Sequence, residues 1–73
     1  MLDYFLQNKA TGYIYRLTES TKGTYRIIEN NRLGNSIRII KEYKQYKNAL
    51  KYFEELSNKP LIEKRNISEL PWR

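Results

Sequence analysis

The chain has 73 residues and a formal net charge of +6, enough for one domain with one modest core. It contains no cysteine and no histidine. That excludes disulfide staples, thiolate metal sites, and the commonest general base and neutral metal ligand. Stability therefore rests on packing, and the seven tyrosines, Phe5, Phe53 and Trp72 are read as mainly structural.

Taken in chain order, residues 1–11 read as an N-terminal flank. Leu2-Asp3-Tyr4-Phe5-Leu6 suits either a helical turn or a short edge strand. It does not read as a signal peptide, which is expected to carry a basic leader and a longer apolar stretch than the one that Gln7 and Asn8 cut short. No apolar run reaches the roughly 18–20 residues of a membrane span, so no membrane partner is expected and the cytoplasm is the expected location.

Residues 12–58 form the predicted domain. Tyr13–Thr18, Thr24–Ile28 and Ser36–Ile40 are rich in β-branched and aromatic residues and are bounded by turn chemistry, which predicts strands. Thr21-Lys22-Gly23 and Arg32-Leu33-Gly34 each end in the glycine that a three-residue hairpin loop uses at its left-handed third position. Two such loops set a register with Leu17 opposite Ile27 and Ile27 opposite Ile39. Tyr13, Tyr15, Tyr25 and Ile37 then share the core face. Ile14, Arg16, Thr18, Arg26, Ile28, Arg38 and Ile40 share the other. Tyr46, Ala49, Leu50, Phe53 and Leu56 recur at helical spacing, with Asn58 as C-cap and Pro60 as stop. The predicted fold is α+β: a three-stranded antiparallel meander packed on one amphipathic helix. Residues 59–73 read as a C-terminal tail carrying Leu61, Ile62, Ile67, Leu70 and Trp72 among charges.

The basic residues are concentrated in one stretch. Lys22, Arg26, Arg32, Arg38, Lys41, Lys44, Lys47 and Lys51 stand against only Glu29 and Glu42, an excess equal to the net charge of the chain. Local positive charge of this kind attracts polyanions. Arg16, Arg26 and Arg38, one per strand on the open face, suit either phosphate contact or solubility. Lys44 and Lys47 at the helix start, with Glu54 and Glu55 at its end, oppose the helix dipole, as a helix start facing an anion would. Tyr43, Tyr46 and Tyr52 interleave with Lys41, Lys44, Lys47 and Lys51. Such interleaving can stack the bases of a single strand, although Tyr46 is assigned to the core and Tyr52 alone reads as free. No catalytic constellation, phosphate loop, metal spacing or cofactor motif is present, so a non-enzymatic role is expected.

The stretch Gly23-Thr24-Tyr25-Arg26-Ile27-Ile28, then Gly34, then Ile39 through Phe53 resembles the arm-type DNA-binding domains of phage and transposon tyrosine integrases, a β-β-β-α family. Tyr43 and Ala49 match an aromatic and an alanine of that pattern, whereas Gln45 and Asn48 replace its threonine cap and its acid. The resemblance implies a sheet laid in the DNA major groove. Arg16, Arg26 and Arg38 would contact bases or phosphates, and Lys22 and Arg32 would grip the backbone. The expected protein is an accessory or regulatory DNA binder of phage or mobile-element type, with RNA a lesser expectation. The alternative is an inhibitor or adaptor that binds a host or anti-phage defence protein through Ile14, Ile28, Ile40 and Trp72. Open sheet edges would also allow two copies to pair.

Overall fold

Both glycine-terminated loops form as their sequences require. In a computed structural model that describes residues 2–72, Gly23 and Gly34 adopt φ of +82° and +90°. Ser20 N–H donates to Thr24 C=O and Asn31 N–H to Asn35 C=O, closing loops 21–23 and 32–34. The elements are β1 (Tyr4–Asn8), β2 (Ile14–Glu19), β3 (Tyr25–Asn30), β4 (Ser36–Tyr43), α1 (Tyr46–Leu56) and β5 (Ile62–Asn66), followed by a short 3₁₀ turn over Ile67–Glu69. Met1 and Arg73 lie outside the described residues.

The class is α+β, but the sheet has five antiparallel strands in the order β4-β3-β2-β1-β5, not three. The meander β2-β3-β4 is there. The segments expected as flanks supply the remaining strands, and β1 lies inside the sheet rather than at its edge. Its five residues pair with β5 from Tyr4 opposite Asn66 to Asn8 opposite Ile62. Pro60 lies in the turn that follows the helix rather than at its end, and the chain then enters β5. Helix α1 ends at Leu56 with Ser57 as C-cap, one residue before Asn58.

The helix lies on the face that carries Leu6, Tyr15 and Ile27. With Ala49, Phe53 and Leu56 these form the main core. Phe53 is fully buried, and its ring centroid is 5.6 Å from that of Tyr4. Truncating such a residue to alanine costs about 3–5 kcal/mol, a large share of the stability of a small domain.

The register of β2 with β3 places Leu17 opposite Ile27, as the loop predicts. That of β3 with β4 departs from expectation. It starts with Asn30 opposite Ser36, as a three-residue loop dictates, then shifts twice. Ile37 and Ile40 are the extra residues of two bulges, each placing two β4 residues against one partner. Ile28, not Ile27, therefore faces Ile39, and Ile27 faces Lys41. Arg38 is moved to the helix side, opposite Glu29, and Ile40 packs against the main core. The expectation that Arg16, Arg26 and Arg38 share one face is thus corrected: Arg16 and Arg26 do, and Arg38 does not. Tyr15 and Tyr25 take the helix side, Tyr13 precedes β2 in a loop, and Ile37 is left exposed.

The second sheet face is closed as well. Phe5 and Ile14 point away from the helix by register, yet both are buried, as is Asn30. Below them runs the segment that follows β5. Ile67 N–H donates to Asp3 C=O, and Asn66 and Glu69 form a reciprocal capping box around the 3₁₀ turn. Trp72 then reaches the β3–β4 loop. A Cβ added to Gly34 would sit 2.9 Å from the Trp72 ring, whereas one added to Gly23 would meet nothing within 4 Å.

This contrast yields a stability prediction. Gly23→Ala should cost only the left-handed backbone penalty of about 1–2 kcal/mol. Gly34→Ala should cost more, because Trp72 must also move. In a Trp72→Ala background the cost of Gly34→Ala should fall to that of Gly23→Ala, measured by urea unfolding of the four variants. An unchanged cost would mean that Trp72 does not occupy the space above Gly34 in solution.

Candidate nucleic-acid interface

The sequence points to arginines and lysines together, but the fold uses them differently. Arg16 donates from Nε to Asn30 Oδ1 at 3.3 Å, and its guanidinium lies 5.4 Å from the Trp72 ring centre. Arg26 pairs with Glu42 at 2.9 Å. The hydroxyl of Thr24 donates to the same carboxylate, and this bond first, then Arg26, holds the Glu42 pKa below its ordinary value. Arg38 pairs at 2.9 Å with Glu29, whose side chain is only 7% exposed. Arg32 lies across Gly12, in the space where a Cβ would sit. All four arginines are therefore engaged within the fold.

The apolar surface expected for a protein partner is also redistributed. Ile14 is buried, Ile28 is half-buried, Ile40 belongs to the helix side and Trp72 packs on Gly34. Leu33, Ile37 and Ile39, on the β3–β4 loop and β4, are exposed instead.

The lysines behave otherwise. Lys22, Lys41, Lys44, Lys47 and Lys51 are all exposed, and none makes a salt bridge among the described residues. Lys41 is on the outermost strand, Lys44 in the turn after it, and Lys47 and Lys51 one turn apart on α1. Lys22 is in the β2–β3 loop at the same end of the sheet, close enough to bear on Glu42. Gln45, the N-cap residue, makes no side-chain cap hydrogen bond, and neither an acid in the first turn nor a base in the last complements the dipole.

Among these lysines runs a row of tyrosines. Tyr25 is directly opposite Tyr43 across β3 and β4. Tyr46, the first helical residue, meets Tyr25 with centroids 5.5 Å apart and planes at 71°. Tyr52 meets Tyr43 at 6.1 Å, and Lys41 Nζ lies 5.9 Å from the Tyr52 ring centre. Tyr46, assigned to the core by its spacing, is 39% exposed, and Tyr52, read as free, is half-buried. The row escapes sequence reading because an unshifted hairpin would set Tyr25 opposite Lys41. Only the two bulges bring Tyr43 level with it. Beside Tyr25 and Tyr46 opens a groove of about 280 Å³, also lined by Leu2, Leu17 and Glu19.

Comparison with known proteins finds no matching family model, no matching curated protein and no matching solved structure.

Two stability predictions follow from the buried carboxylate. Arg38→Gln should destabilise the fold by about 1–3 kcal/mol in thermal or urea unfolding, because Glu29 loses its charged donor in a buried position. Burial first, and the adjacent Glu29 carboxylate second, raise the Tyr15 hydroxyl above its ordinary pKa of 10.0. The unfolded chain then gives up this proton first. The contribution of Tyr15 is full below pH 10.0 and is lost as pH rises through the folded value. Tyr15→Phe should flatten the fall in unfolding free energy between about pH 9 and pH 11. An unaltered slope would show that Tyr15 does not contribute.

Proposed function

We propose that this is a small, non-enzymatic nucleic-acid-binding protein that holds phosphates along its lysine flank. The observation that carries this reading is the set Lys22, Lys41, Lys44, Lys47 and Lys51, exposed and without a carboxylate partner among the described residues, beside a row of tyrosines. A lysine ammonium is a mobile point charge, suited to the phosphate backbone rather than to bidentate reading of base edges. Major-groove docking by an open sheet, the mode that the integrase resemblance implies, gains no support: the segment from Ile67 to Trp72 lies along that face and Arg38 is on the other. DNA is the expected ligand ahead of RNA, and an accessory or regulatory role of the kind mobile elements carry suits a binder without catalytic groups. A second reading, an inhibitor or adaptor of another protein, has in its favour the exposed Leu33, Ile37 and Ile39.

Mobility-shift titrations with random duplex and single-stranded DNA, at low and moderate salt, test the main reading. Phosphate-driven binding weakens linearly in log–log salt plots, and removing each contacting lysine should lower the slope by about one. Lys44→Gln with Lys47→Gln should therefore flatten it by about two without loss of the folded signal. Absence of any shift at low salt defeats the proposal. In that event, binding of a purified partner protein that is lost on Ile39→Glu would support the second reading.

A further inference from the structure

Resting on that reading, we infer that the groove beside the helix start is a pocket for one unpaired nucleobase, preferring bases that carry an exocyclic amino group. Its wall is Tyr25 and Tyr46, met edge to face with centroids 5.5 Å apart, so the face of one ring is not covered by the other. Leu2 and Leu17, both half-buried, supply apolar surface, and the volume of about 280 Å³ admits a planar heterocycle. At the rim stands Glu19, an exposed carboxylate that makes no salt bridge among the described residues.

A carboxylate without a salt bridge among the described residues, at the edge of a lysine-rich surface, works against phosphate binding. It has a use if the guest presents hydrogen-bond donors. Two kinds of guest do so. A free ammonium or guanidinium would suit Glu19 and the tyrosines, but the exposed Lys44 and Lys47, two residues before and one after Tyr46 in the chain, disfavour a cation. A nucleotide satisfies both halves of the site. Its phosphate meets the lysines, its ring stacks on tyrosine, and its amino group donates to Glu19. Cytosine, adenine and guanine have such a group. Thymine and uracil have a carbonyl oxygen in its place, which sets acceptor against acceptor there and leaves only the ring N3–H to donate. In a duplex the ring faces are stacked and the pairing edges occupied, so the guest must be unpaired.

Fluorescence anisotropy with labelled dC, dA and dT homopolymers at fixed salt, with dCMP as unlabelled competitor, tests the inference. The dC and dA strands should bind at least about fivefold more tightly than dT. Glu19→Gln should erase that preference while leaving the salt slope unchanged, since glutamine both donates and accepts. Tyr46→Ala, checked for retained helix by circular dichroism, should weaken all three by roughly 5- to 150-fold. Competition by dCMP alone, as effective per nucleotide as the strand, would show a mononucleotide site and overturn the role in strand binding. Salt-dependent binding with equal affinity for dC and dT, or a preference that survives Glu19→Gln, overturns the pocket but leaves the lysine flank standing. Loss of all binding at low salt overturns both.

Discussion

A sheet has two faces, and this chain has one helix with which to cover them. Everything else in the structure answers that constraint. Without disulfides, a sheet open on one side would leave Phe5, Ile14 and Ile28 against water, and burial of each such side chain is worth about 1.5–3 kcal/mol. The chain that follows β5 closes the face instead. β5 pairs with β1, the capping box after it fixes the exit angle, and Trp72 settles on a glycine and an arginine. The cover needs Gly34 to be a glycine twice over, once for its backbone angle and once for the room that the indole takes.

The meander was largely legible. Glycine-ended loops fixed both hairpin starts, and the helical spacing of Ala49, Phe53 and Leu56 located the buried side of α1. The last strand was not legible, for a physical reason. β5 is Ile62-Glu63-Lys64-Arg65-Asn66, with one apolar residue, and its place comes from pairing with β1 rather than from a buried face of its own. Strand periodicity reports burial. A strand held chiefly by its backbone partner and by side-chain ion pairs such as Arg65 with Glu69 carries little of that signal.

The site was legible in half. Lysines near a helix start and in a hairpin loop can be placed from chain order alone, because they need only be exposed. Arg16 and Arg26 keep the face that the first hairpin gives them, whereas Arg38 was misplaced because its face depends on the register of β4, which two bulges set and no loop residue announces. The first bulge brings Arg38 to the nearly buried Glu29. The second restores the alternation and sets Tyr43 beside Tyr25. A conventional ladder would have left Glu29 without that donor and broken the tyrosine row.

The same irregularities bear on what happens when many copies of the chain meet. β4 is an edge strand of eight residues with exposed isoleucines, the kind of segment that templates fibrils when it is flat. A growing ladder needs an unbroken row of outward N–H and C=O groups at even spacing. Each bulge twists that row and puts one residue out of step, and the lysines nearby add charge repulsion between neighbours. The feature that aligns the tyrosines thus also keeps the exposed edge of a small, basic, disulfide-free sheet from becoming a seed for its own aggregation.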